Sequence, residues 1–150
     1  MENKHSKRID IVSLKMVKER SVLYKNRSIN SVEDAVKLFK GFFYEADREM
    51  LIVCCLNTKN EPNCINVVSI GTLNSSLVHP REVFKASILS NSNSIILAHN
   101  HPSGSINPSS EDINVTKRIC EAGHILGIKL LDHIIISDDN YSSLKEKEII

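Results

Sequence analysis

The sequence predicts a three-layer α/β domain in which a mixed β-sheet is flanked by helices. Short continuous apolar runs, such as Met50–Leu56, read as strands covered on both faces. Capped segments with apolar residues at helical spacing alternate with them. The resulting order, helix, hairpin, helix, strand, helix, strand, suits helices laid against a mixed sheet.

Residues 1–8 are polar, a composition that predicts disorder until something pins them. Ile9, Ile11, Val12 and Leu14 follow, interrupted by Asp10, and fit either a short edge strand or an arm packed on the core. Ser31 then reads as an N-cap, with Asp34 three residues on. Val32, Ala35, Val36, Leu38 and Phe39 give that helix a core-facing stripe, and Gly41 reads as its stop. Met50–Leu56 predicts a buried central strand, residues 65–70 its return, and residues 60–63 the hairpin tip.

Pro80 and Glu82, after His79, begin a second helix whose buried face is read as Val83, Phe84, Ala86, Ile88 and Leu89. Residues 94–98 are a buried strand. Ser110–Leu126 is a helix with Ser109 as N-cap, Val115, Ile119, Ala122 and Leu126 on its apolar face, and Gly127 at its end. Residues 130–137 predict a further buried strand, residues 138–140 a turn, and residues 141–144 a short piece before a charged tail.

At 150 residues, 41% hydrophobic and 25% charged, the chain has the length and composition of one globular domain with a sizeable core. Its longest apolar run is the seven residues of Met50–Leu56, far short of the roughly 18 a membrane helix needs. The charged N-terminus shows no secretory signal, which predicts a cytoplasmic protein. Cys54, Cys55, Cys64 and Cys120 have no C-x-x-C spacing and read as reduced, mostly buried thiols, with the adjacent pair facing opposite sides of a strand.

Charge divides the chain. Residues 1–30 hold eight Lys or Arg against three acids, a basic N-terminal arm of net +5, whereas residues 31–150, the folded domain, carry −4. Such an arm suits a phosphate backbone or an acidic partner, although a solvated tail has the same composition.

The chemistry concentrates in residues 99–112. His99 and His101 end the strand of residues 94–98, and the period of two aims both imidazoles to one side, with Asn100 on the other. Pro102, Gly104 and Pro108 turn the chain, and Asp112 then falls in the first turn of the next helix. Two neutral imidazoles and one carboxylate, with a position left open for water, form the ligand set of a hydrolytic zinc site. The same set occurs in iron oxygenases as a facial triad, and Ser109-x-x-Asp112 by itself is also a capping arrangement.

His99-x-His101 followed by Asp112 after ten residues resembles the H-x-H-x(10)-D signature of JAB/MPN metalloproteases, and His99-Asn100-His101-Pro102-Ser103-Gly104 is similar to its bacterial RadC branch. Asp47-Arg48-Glu49, Leu56-Asn57-Thr58-Lys59-Asn60, Gly71-Thr72-Leu73, His79-Pro80-Arg81-Glu82-Val83 and Leu131-Asp132-His133 resemble RadC segments in the same order. The resemblance implies a JAB/MPN fold, cytidine-deaminase-like in shape. It also implies one Zn2+ per chain on His99, His101 and Asp112, and hydrolysis of an amide or isopeptide bond by a metal-activated water.

In that family a glutamate opening the strand after the first helix is the general base. Glu49 occupies this place, with Glu82 as the competitor. Ser109 matches the serine that helps hold the oxyanion. His133, at the start of a buried strand, reads as a structural histidine rather than a fourth ligand, and His79 as an outer group supporting the site. His5 and His124 carry no signal. The implied partner is a peptide or protein substrate. A role in DNA repair, with nucleic acid held by the basic arm, is the alternative attached to the RadC name, although longer relatives carry a helix-hairpin-helix region before the shared part.

Overall fold

The computed structural model describes residues 5–71 and 78–150; residues 1–4 of the arm, and Thr72 and Leu73 of the Gly71-Thr72-Leu73 segment, lie outside the described residues. The elements follow the order α1 (Val32–Phe43), β1 (Met50–Leu56), β2 (Pro62–Ile70), α2 (Pro80–Leu89), β3 (Ser94–Asn100), α3 (Ser110–Leu126), β4 (Lys129–Ile136) and β5 (Tyr141–Ser143). The strands form one mixed sheet of order β2-β1-β3-β4-β5, in which β3 and β4 are parallel and the other pairings antiparallel.

Alternation along the strands splits the core into two layers. Leu51, Val53 and Cys55 of β1 and Ile95 and Leu97 of β3 meet Val83 and Phe84 of α2 and Val115 and Ile119 of α3. Ile52, Cys54, Leu56, Ile96 and Ala98 turn the other way, onto Val36, Phe39 and Phe43 of α1. β1 and β3 are therefore buried on both faces, which is why they read as uninterrupted apolar runs. The middle of the sheet is β3 rather than β1.

Both expected N-caps form: Ser31 Oγ accepts from the Asp34 N–H, and Ser109 Oγ from the Asp112 N–H, each at 3.1 Å. α3 ends at Gly127, whose φ of 71° is the left-handed cap. The helices depart from expectation at three points. α1 runs through Gly41 to Phe43, because Gly41 is on the exposed side and Phe43 is drawn into the α1 layer. Ile88 and Leu89 are exposed at the end of α2, where Ser87 takes the inward position and its hydroxyl donates to the Phe84 carbonyl. Leu126 is likewise exposed; α3 instead buries Thr116 and Gly123, where a Cβ at Gly123 would collide with the Ile128 carbonyl oxygen.

The hairpin turn comprises residues 57–61, held by Asn57 Oδ1 accepting from the Lys59 and Glu61 N–H groups, so Pro62 already belongs to β2 rather than to the tip. Ile9, Ile11 and Leu14 neither form a strand nor pack: each is more than three-quarters exposed, and the chain first gains cover at Tyr24 and Ile29. Among the described residues no helix is long and apolar enough to cross a membrane.

Candidate metal centre

β3, α3 and β4 form a strand–helix–strand crossover, and the centre lies where the carboxyl end of β3 meets the N-terminus of α3. His99 and His101 follow Leu97 on the α3 side of the sheet, while Asn100 points across it. Asp112, in the first turn of α3, faces both imidazoles. His99 Nε2 lies 3.2 Å from Asp112 Oδ1, His101 Nε2 lies 3.3 Å from Asp112 Oδ2, and the two Nε2 atoms are 3.0 Å apart. Among the described residues, this is the group of His, Cys, Asp and Glu side chains that could hold a metal ion.

Hydrogen bonds behind the group fix which nitrogens carry protons. Thr116 Oγ1 donates to the Asp112 carbonyl oxygen at 2.6 Å, which spends its only proton. His133 Nδ1, 2.6 Å from the same hydroxyl oxygen, must therefore be the donor, and its Nε2 is left as an acceptor. Burial pushes the His133 pKa well down, so the ring is neutral. His99 Nδ1 thus donates to His133 Nε2 at 2.7 Å, and the His99 Nε2 lone pair faces the centre. His101 Nδ1 donates to the Ser105 carbonyl at 2.8 Å, which directs a second lone pair to the same point.

Two lone pairs 3.0 Å apart repel unless a proton or a cation lies between them. A divalent metal meets that need, and the spacing suits one: tetrahedral zinc with ligand bonds of about 2.0–2.1 Å separates its ligand atoms by roughly 3.3 Å. The side chains of His99 and Asp112 are almost wholly buried, while His101 remains 12% exposed and opens the centre to solvent. A cleft of about 180 Å³ adjoins His101 and Asn100, walled by Lys40, Phe43, Tyr44 and Ile136.

Electrostatics follow the geometry. Burial pushes the Asp112 carboxyl up, but hydrogen bonds from His101 and His99 when a proton sits on their Nε2 atoms, the charge of His99 and the Ser109 N–H outweigh it and hold the group far below the ordinary carboxylate range. The hydrogen bond to Asp112 raises the His101 pKa against its partial burial, helped by Ser105 and by the charges of Asp112 and Glu49.

Glu49 is half-buried at the entry to β1 and extends the Leu51–Val53–Cys55 face, the side on which the imidazoles lie. Its backbone is fixed on both flanks: Asn100 Oδ1 accepts from the Met50 N–H at 2.7 Å and Asn100 Nδ2 donates to the Arg48 carbonyl at 2.9 Å. The Gly71 N–H also donates to the Glu49 carbonyl. The Glu82 carboxylate, by contrast, is held by Lys85 Nζ at 2.8 and 2.9 Å. Ser109 is exposed and caps α3. His79 stands at the start of α2 without capping it by its side chain, outside the metal-holding group; His5 and His124 are exposed.

Sequence reasoning identified His133 as a structural residue but missed that it orients His99, and it missed Thr116 and Asn100. The signal for Thr116 was present, since it lies four residues after Asp112 on the same helix face.

The family model of the RadC-like JAB domain matches residues 29–149. The UPF0758 protein of Moorella thermoacetica is 59% identical over 122 residues, covering 81% of this chain and 53% of that protein. The UPF0758 proteins of Desulfitobacterium hafniense and Clostridium beijerinckii are 55% and 52% identical over the same length, which is 54% and 53% of each. The chain thus spans about half the length of these curated relatives. With its candidate ligand set, its mixed sheet and this match in agreement, the chain belongs to the RadC-like JAB domain family.

Proposed function

We propose that the chain is a zinc-dependent hydrolase that cleaves an amide or isopeptide bond in a peptide or protein substrate. The observation that carries this reading is the convergence of two imidazole lone pairs and one carboxylate, each lone pair enforced by a hydrogen bond at the far ring nitrogen. Zinc held there would supply Lewis acidity and lower the pKa of water to near neutrality.

The protein's own groups do the rest. The Glu49 carboxylate takes the proton of the attacking water and delivers it to the leaving nitrogen, which must leave as an amine. Asn100 holds the backbone on either side of Glu49, so that the carboxylate is positioned before substrate arrives. Ser109 Oγ, already an acceptor from the Asp112 N–H, keeps its hydroxyl hydrogen to donate to the developing oxyanion. The cleft beside His101 offers the exposed Tyr44 to the substrate chain, with Lys40 at its edge.

Glu49→Gln tests the assignment. It should retain metal and lose about 10²–10⁴-fold in hydrolysis of an isopeptide-linked or peptide substrate that the wild type cleaves. Loss of metal on this substitution, or full activity, would reject it.

A further inference from the structure

Cys55 and Cys64 form a pair of free thiols at the other end of β1, about 14 Å from the candidate metal centre at roughly 3.4 Å per residue over the four residues from Leu51. They are direct cross-strand partners in the β1–β2 hairpin and both pack into the layer beneath α2 and α3. Directly opposed antiparallel residues have Cα atoms about 4.5–5.5 Å apart, inside the range a disulfide spans. Each thiol shifts the other's acidity, and the Ser90 hydroxyl at the end of α2 acts on both. Ser90 Oγ is in turn 2.6 Å from Ser92 Oγ, which accepts from Asn63 Nδ2 at 3.0 Å. Cys55 is fully buried, whereas Cys64 is partly open to solvent.

We propose that Cys55 and Cys64 are a hydroperoxide-reactive pair that closes reversibly to a cross-strand disulfide, with Cys64 as the attacking thiol and Cys55 as the resolving one. The hydrogen bond from Cys55 lowers the Cys64 pKa, against burial and with help from Ser90. The same bond, with burial, raises Cys55, so the inner thiol keeps its proton. Burial pushes Cys54 up to about 12 and also raises Cys120, which leaves Cys64 as the most acidic of the four thiols.

The chemistry balances. The Cys64 thiolate attacks one peroxide oxygen, the O–O bond breaks, and the departing oxygen leaves as water after taking a proton, giving a sulfenic acid on Cys64. Cys55 sulfur then displaces the hydroxyl, which leaves as a second water with the Cys55 proton as the S–S bond forms. Two thiols supply the two electrons that reduce the peroxide.

The test treats the reduced full chain with a small excess of hydrogen peroxide. The thiol titre of the denatured product should fall from the four cysteines of the chain to two, with an intact mass lower by two hydrogens, and dithiothreitol should restore both. Peptide mapping should link the segment holding Cys55 to that holding Cys64; Cys54→Ser should keep the link and Cys55→Ser should lose it, leaving a dimedone-reactive sulfenic acid on Cys64. Cys64 should be consumed at least about tenfold faster than Cys120. A wild-type chain whose Cys64 reacts no faster than Cys120, or whose link joins Cys54 or a second chain, would overturn the proposal.

Discussion

Nδ1 of His99 donates to Nε2 of His133 across 2.7 Å, in a fully buried contact whose direction is set by Thr116 on the far side of the His133 ring. His133 touches no position where a metal would bind, yet it fixes the tautomer and angle of His99, a candidate ligand. Outer partners of this kind are worth about 10–100-fold in metal affinity. His133→Ala and Thr116→Val should therefore each weaken zinc binding by about that factor in a chelator competition while leaving all three ligands in place. Unchanged affinity in both would remove His133 and Thr116 from the account.

The raised pKa of His101 gives metal binding and metal-free stability opposite dependences on pH. Without metal, the protonated His101–Asp112 interaction stabilises the fold fully below the ordinary imidazole value of about 6.5, and that contribution is lost as pH rises through the higher folded value. Zinc must displace this proton, so affinity should rise about tenfold per pH unit below the folded value and level off above it. Thermal midpoints of zinc-free and zinc-loaded protein across this window, with binding titrations, check both slopes; affinity independent of pH there would contradict the assignment.

Asn100 sits on the opposite side of β3 from its histidine neighbours, and its amide joins β3 to the segment that carries Glu49. Asn100→Ala leaves the Met50 N–H and the Arg48 carbonyl without these partners, at a cost of about 1–3 kcal/mol. Chemical denaturation should show that loss. Zinc content should be unchanged and hydrolysis reduced, because the base is misplaced rather than removed.

The convergence of His99, His101 and Asp112 was legible because it depends on local rules. A period of two aligned His99 with His101, and a serine cap placed Asp112 at a helix start beside them. What supports them depends on pairing between distant segments. His133 reaches His99 only because β4 lies parallel to β3 with Leu97 opposite His133. Asn100 reaches Met50 only because β1 runs antiparallel to β3 with Leu51 opposite His99. Neither register is written in either strand alone. The same limit explains α1, whose passage through Gly41 is decided by where Phe43 packs, and α2, where Ser87 outcompetes Ile88 for the inner face by bonding within its own helix.

Zinc stoichiometry is the most direct measurement of the central claim. Wild type and His101→Ala would be supplied with a small excess of zinc, passed through a desalting column and analysed for metal per chain. Wild type should retain one ion per chain and the variant almost none, with circular dichroism confirming that both are folded. A wild type that retains no zinc, or a folded variant that retains as much, would contradict the metal centre formed by His99, His101 and Asp112.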